Sequence, residues 1–471
     1  MRLASARLLL LATFVLAPIG ALAGAEPQSA KAAEAKGDAS LNAGRYIEAE
    51  RDYAEARRLA PNEPDYLADL GDAYRAEERY DDSLKALDAA VAADPKKAWY
   101  RIARGRTYEM KGDQEHAKAD FEAAIAIAPD SSRGYYFRGE LLYQHDEDAA
   151  ALADAEKAIS LAPKDDDALT LRGDVRLDLK QYDQALTDFQ AALKLNPRNY
   201  EALRERAGVA FTREDYALAA VYYDAALEVY PKDAPLHALR GKVWAKLGEN
   251  DKAHAQFDAA IALDPKNAAS FYDRGNWAYD QGKWDAAVAD YLAISRLKPD
   301  DPTAWEDAGE AYRRKQDYAK AYDAFARGLK IAPDDTGNLI GRGLAYYDQD
   351  RYVEARADFD HALRIDPKNT AALYDRALVL YEQGESDRAI RDLDAALKIE
   401  PGDAATLAER AKIYLHLDDY ARAVSDFDAA IAADATDPSA FRGRADARRK
   451  LGDEAGAKAD EARAAKLEGA S

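Results

Sequence analysis

Residues 336–403 read TGNLIGRGLAYYDQDRYVEARADFDHALRIDPKN and then TAALYDRALVLYEQGESDRAIRDLDAALKIEPGD, two 34-residue stretches built on one plan. Both place arginine seventh (Arg342, Arg376), a small residue eighth (Gly343, Ala377) and alanine twentieth (Ala355, Ala389). Both then place aspartate twenty-third (Asp358, Asp392), alanine twenty-seventh (Ala362, Ala396) and proline thirty-second (Pro367, Pro401). The same frame runs without a gap from Ala30 to Ser471, thirteen times over. Prolines mark it at Pro61, Pro95, Pro129, Pro163, Pro197, Pro231, Pro265, Pro299, Pro333, Pro367 and Pro401. A fixed period of this length predicts an all-α solenoid of stacked helix pairs, and it leaves no room for a second folded domain. Function is then sought on a surface rather than in a buried active site.

The eighth place is Gly or Ala in every repeat, from Gly37 to Ala445. The twentieth is alanine except at Ser83, and the twenty-seventh is alanine except at Ile294 and Gly328. Small residues there let helices of one repeat and the next approach closely. Rings fill the space beside them at Tyr53, Phe121, Phe189, Tyr223, Phe257, Tyr291, Phe325, Phe359 and Phe427. The proline follows a helix end, because it cannot donate the backbone bond that would carry the helix on.

These residues at this period resemble the tetratricopeptide repeat, and the resemblance covers residues 30–471. It implies two antiparallel helices per repeat, a right-handed superhelix, and an inner concave groove lined by the first helices where partners bind. One departure is informative. The seventh place, commonly leucine in the family, is arginine in ten repeats here: Arg104, Arg138, Arg172, Arg206, Arg240, Arg274, Arg342, Arg376, Arg410 and Arg444. The twenty-third place is often aspartate and varies with it. Repeats two and nine lack both partners, and only repeats six and seven set the arginine opposite something else, Tyr222 and Gln256. The covariation predicts a structural ion pair inside each repeat, as in Arg342–Asp358, Arg376–Asp392 and Arg410–Asp426, rather than an arginine ladder for an anion.

The first 23 residues read as a secretory signal: Arg2 and Arg7, an apolar run from Leu8 to Ala17, and Ala21-Leu22-Ala23 before a cut at Gly24. Residues 24–29 form a short lead into the thirteen repeats of 30–471. The last repeat, 438–471, is expected to act as a polar cap, since Glu461 replaces the ring among Lys458, Asp460, Arg463 and Lys466. No further domain is expected after it. No cysteine occurs, which excludes disulfides and thiol chemistry. The net charge of −21 disfavours nucleic acid and anionic lipid as partners, and no membrane span is expected in the mature chain.

Enzyme, metal and cofactor signatures are absent. The six histidines fall at six different places of the frame, His145-Asp146-Glu147-Asp148 sits at a turn, and Gly341-Arg342-Gly343 lies inside a helical pattern. The places that the resemblance puts on the concave side hold Trp99, Tyr136, Tyr143, Phe211, Tyr272, Tyr279, Tyr347, Tyr374 and Tyr381. The cluster over repeats eight to eleven, Tyr272, Asn276, Tyr279, Arg313, Arg314, Tyr347, Tyr374 and Tyr381, is the expected partner-binding groove. No repeat has the lysine and asparagine with which family members clamp a C-terminal carboxylate. The expected function is a non-catalytic protein–protein interaction scaffold, exported to the periplasm or secreted, that binds an extended peptide or protein surface. The alternative is a carbohydrate-binding module for an envelope polysaccharide or exopolysaccharide.

Overall fold

The computed structural model describes residues 28–469, so the leader and most of the short lead lie outside the described residues. Within that range the chain forms 26 α-helices, from Gln28–Asn42 to Glu454–Glu468, two to each of the thirteen repeats. This is an all-α helical-repeat fold. It divides into two compact bodies, one up to Lys232 and one from Asp233.

Three devices punctuate the repeats, the first in all of them and the other two in most. The first helix ends at a left-handed residue in the fifteenth place of all thirteen repeats, glycine in some (Gly112, φ 85°; Gly384, φ 79°) and non-glycine in others (Lys180, φ 60°; Asp350, φ 57°). The second helix stops two residues before the proline, as at Ile399 before Pro401. An aspartate or asparagine then caps the next first helix with its side chain, as Asn369 does for the Ala372 amide at 2.9 Å.

Packing follows the small-residue columns. The twentieth-place alanines are fully buried, and Ser83, which interrupts them, spends its hydroxyl on the Gly71 carbonyl at 2.7 Å. At the eighth place a Cβ added to Gly309 would lie 2.6 Å from the Phe325 ring, and one added to Gly343 would lie 2.6 Å from Phe359. Gly341 presses in the same way on Phe325 of the preceding repeat, so both glycines of Gly341-Arg342-Gly343 serve ring packing inside Thr336–Tyr347. Gly328 breaks the twenty-seventh-place alanines for a similar reason: its missing side chain is the space taken by Asn338, itself fully buried.

The arginine column pairs as its covariation predicts. Arg342 donates to both oxygens of Asp358 at 2.8 and 2.6 Å, Arg376 to Asp392 at 2.7 and 2.8 Å, and Arg410 to Asp426 at 2.7 and 2.8 Å. The same two-pronged pair recurs at Arg104, Arg138, Arg172, Arg274 and Arg444. Where the aspartate is missing, Arg206 lies 4.4 Å over the Tyr222 ring and Arg240 reaches the Gln256 carbonyl at 3.5 Å.

A further bond goes beyond the sequence reading. The remaining terminal nitrogen of Arg104, Arg274, Arg376, Arg410 and Arg444 donates to Asp88, Asp258, Asp360, Asp394 and Asp428 of the preceding repeat, at 2.5–2.8 Å. These acids occupy the twenty-fifth place. The pair therefore joins the two helices of a repeat and also ties that repeat to its neighbour.

The cap needs one correction. Lys458, Glu461, Arg463 and Lys466 are exposed as expected, but Asp460 is 4 % exposed because it turns inward to Arg444.

Two expectations follow. Gly309→Val overfills the slot against Phe325 and should cost about 3 kcal/mol in urea unfolding; a loss below ~0.5 kcal/mol would mean the slot is not close-packed. Arg342→Met strands the 6 %-exposed Asp358 carboxylate and should cost roughly 3 kcal/mol. Adding Asp358→Leu should recover at least ~1 kcal/mol of that in a double-mutant cycle, and equal losses would show that the two side chains do not act as a pair.

Candidate functional site

Within each body most consecutive first helices touch one another, as Thr303–Arg314 does Thr336–Tyr347, while second helices make no comparable contact with second helices. A stack that closes on one side and opens on the other curves toward the closed side. The first helices therefore line the inside, and in the second body this face carries the expected groove residues.

Tyr272, Asn276 and Tyr279 stand on Ala268–Asp280, Arg313 and Arg314 on Thr303–Arg314, Tyr347 on Thr336–Tyr347, and Tyr374 and Tyr381 on Thr370–Glu382. All five tyrosines are half-buried. Their rings pack along the wall: Tyr279 edge-on to Trp284 at 4.9 Å, Tyr347 against Tyr352 at 5.7 Å, Tyr381 edge-on to His416 at 5.6 Å and Tyr272 beside Tyr291 at 6.3 Å. Wall packing and a partly open ring face thus coexist at each position. Burial, with nearby carboxylates, pushes the Tyr272 and Tyr374 hydroxyls up to about 12.

The polar residues are occupied. The Asn276 carbonyl accepts from the Tyr291 hydroxyl at 2.8 Å. Arg313 donates to both oxygens of Glu310 at 2.6 and 2.8 Å and to Asp348 at 2.6 Å. Arg314 donates to Glu310 at 2.9 Å and to the Tyr279 hydroxyl at 3.1 Å, and that hydroxyl donates to Glu310 at the same distance. Repeats eight, nine and ten are stitched together through Glu310. Burial opposes ionisation of Glu310, yet the two arginines hold its carboxyl below the ordinary value. Arg313 and Arg314 therefore build the groove rather than present free donors to a ligand.

Carboxylates that the concave-face reading left out complete the site. Asp307, Asp375 and Glu409 all occupy the sixth place. Glu409 is paired with Lys412 at 2.9 Å. Among the described residues, no hydrogen bond or ion pair reaches the side-chain carboxylates of Glu306, Asp307 or Asp375. Burial, then the charges of Asp335, Asp307 and Glu310, pushes Glu306 up to about 7. Burial and Asp301 push Asp307 to about 6, and burial raises Asp375 to about 7 against the pull of Arg313. The signal was present in the sequence as a recurrent acid at one place of the frame: Asp69, Glu205, Asp273, Asp307, Asp375 and Glu409.

In the first body the corresponding aromatics also pack in place. Trp99 meets Tyr100 edge-on at 4.6 Å, Tyr136 meets Phe137 at 5.0 Å, and Phe211 meets Tyr216 at 5.4 Å, while burial raises Tyr143. Asp69 repeats the sixth-place theme there: one carboxylate oxygen has no partner, and burial among Glu34, Asp72, Asp38 and Asp65 holds its pKa well above the usual range. His145 caps a first helix, Asp146 takes the left-handed turn, and Asp148 opens the next helix. Among the described residues no group of three or more His, Asp or Glu has metal-binding geometry.

Tetratricopeptide repeat models match residues 34–98, 68–132, 102–166, 170–234, 272–336, 340–404 and 404–437, more than half the chain. The chain belongs to the tetratricopeptide repeat family. No curated protein matches it. Among solved structures it is similar to yeast Tom70 (18% identity, 78% of this chain and 91% of that one, TM-score 0.39). It is also similar to the APC/C hetero-tetramer Cut9-Hcn1 (13%, 93% and 94%, 0.41) and to the P58(IPK) TPR domain (23%, 83% and 98%, 0.30). Tetratricopeptide repeat proteins bind protein or peptide partners, and this chain is a protein–protein interaction scaffold. No helix among the described residues is long and apolar enough to cross a membrane.

The raised carboxylates give a pH expectation. A folded-state value above the ordinary one means that the folded protein binds more protons than the unfolded chain between about pH 4 and 7, so stability falls as pH rises through that window. Asp375→Asn removes its share of that loss and should raise the melting temperature at pH 8 by roughly 3 °C. The gain should vanish at pH 4, and a variant that melts lower than the parent at pH 8 would contradict the assignment.

Proposed function

We propose that the protein is an exported scaffold whose first-helix face in the second body holds an extended segment of a protein partner. The observation that carries this is the row of half-buried tyrosines, Tyr272, Tyr279, Tyr347, Tyr374 and Tyr381, on an inner face otherwise built on small-residue packing. A tyrosine already fixed against its wall loses little side-chain freedom on contact and offers both a flat apolar face and a hydroxyl. Neighbouring repeats supply such faces at regular intervals, which suits a ligand that runs across helices rather than one enclosed in a pocket. Export rests on the leader, with its two arginines, apolar run and Ala21-Leu22-Ala23. The periplasm, or the exterior, is the compartment in which the partner is met.

A photo-crosslinking residue in place of Tyr347, used in the native compartment, tests the reading. The expected result is one discrete protein adduct that disappears when Tyr279 and Tyr381 are also changed to alanine. A folded protein that yields no protein adduct but is retained on envelope polysaccharide would replace the reading with the carbohydrate-binding one. A mature chain that still carries residues 1–23 by mass would contradict export.

A further inference from the structure

Resting on that reading, we infer that the segment seated in the groove bears lysine or arginine side chains, with its cations placed against Glu306, Asp307 and Asp375 between the faces of Tyr272, Tyr347 and Tyr374. The groove has already spent its own cations. Arg313 and Arg314 are bound to Glu310 and Asp348, Lys412 holds Glu409, and Lys242 holds Asp273 at 2.7 Å. What is left over on this face is negative: three half-buried carboxylates that no group of the protein neutralises by contact. Withdrawing carboxylates from water without a counter-charge costs stability, and an arriving ammonium or guanidinium supplies the missing charge.

The tyrosines add a second term of the same sign, because an aromatic face attracts a cation through its quadrupole. An acidic segment meets the opposite situation, with repulsion from the three free carboxylates and no unspent arginine to receive it. Spacing limits the ligand further. Touching helices lie about 8–10 Å apart, so the carboxylates of repeats nine and eleven are separated by roughly 16–20 Å. An extended chain covers that in about six residues. Two cationic side chains about six residues apart therefore fit the two ends of the cluster.

The test is fluorescence anisotropy with the full chain and four labelled twelve-residue peptides. All have the same serine–threonine filler, and lysine, arginine, glutamine or glutamate occupies two places six residues apart. The lysine and arginine peptides are expected to bind at least tenfold tighter than the glutamine peptide, and the glutamate peptide weakest. Glu306→Gln/Asp307→Asn/Asp375→Asn should abolish the tenfold preference. Asp285→Asn/Asp323→Asn/Asp334→Asn, which removes the same charge from carboxylates 79%, 64% and 76% exposed on the outside, should leave it intact.

Equal loss in both triple variants would mean that the preference is only the attraction of an acidic protein, and the inference falls. Glutamine-peptide binding as tight as lysine-peptide binding, and lost in Tyr347→Ala/Tyr374→Ala, would leave the groove reading standing and overturn the cationic assignment. Failure of the lysine and arginine peptides to bind the parent also overturns it, while the Tyr347 crosslink decides the groove separately.

Discussion

Everything in this fold depends on how closely one helix can approach the next. A 34-residue helix pair cannot bury its own apolar face, so it persists only against neighbours that come near enough to exclude water. In most repeats the approach is set by a ring from the second helix lying against the small residue of the first, as Phe325 lies on Gly309 and Phe359 on Gly343. Alanine columns do the same along the rest of the interface. Because the contact is made of atoms too small to adjust, exceptions are compensated locally: Gly328 exists for Asn338.

Close approach alone does not choose a register, since alanine and leucine faces slide. The pair that Arg342 makes with Asp358, and its counterparts elsewhere, supplies direction. A planar guanidinium with two bonds to one carboxylate accepts a single relative placement of two helices. Where the third nitrogen also takes Asp360 or Asp394, that placement extends to the preceding repeat. Such pairs contribute specificity more than net stability, because each nearly buried aspartate is drawn out of water to make them.

Much of this was legible in the sequence, for a physical reason: thirteen copies of one motif act as their own alignment. The period, the glycine and ring columns, and the covariation of Arg342-type with Asp358-type residues all followed from it. The link to the preceding repeat was not anticipated, because its acid occupies the twenty-fifth place in only some copies. The groove was half legible. Its tyrosines stand where expected, but Arg313, Arg314 and Asn276 proved to be bound within the protein, since a frame gives the place of a side chain and not the partner it finds. The carboxylates at the sixth place went unread because the places taken as concave did not include it.

What distinguishes the second body is therefore an inner face whose cations are consumed and whose aromatic rings are fixed but partly open. The claim that this face is where the scaffold works is tested most directly by hydrogen–deuterium exchange on the chain alone and with the partner recovered through Tyr347. New protection is expected over the first helices Ala268–Asp280, Thr303–Arg314, Thr336–Tyr347 and Thr370–Glu382. Protection confined to the second helices Trp284–Leu297, Tyr318–Ile331 and Tyr352–Ile365 would place the partner on the opposite face and contradict the claim.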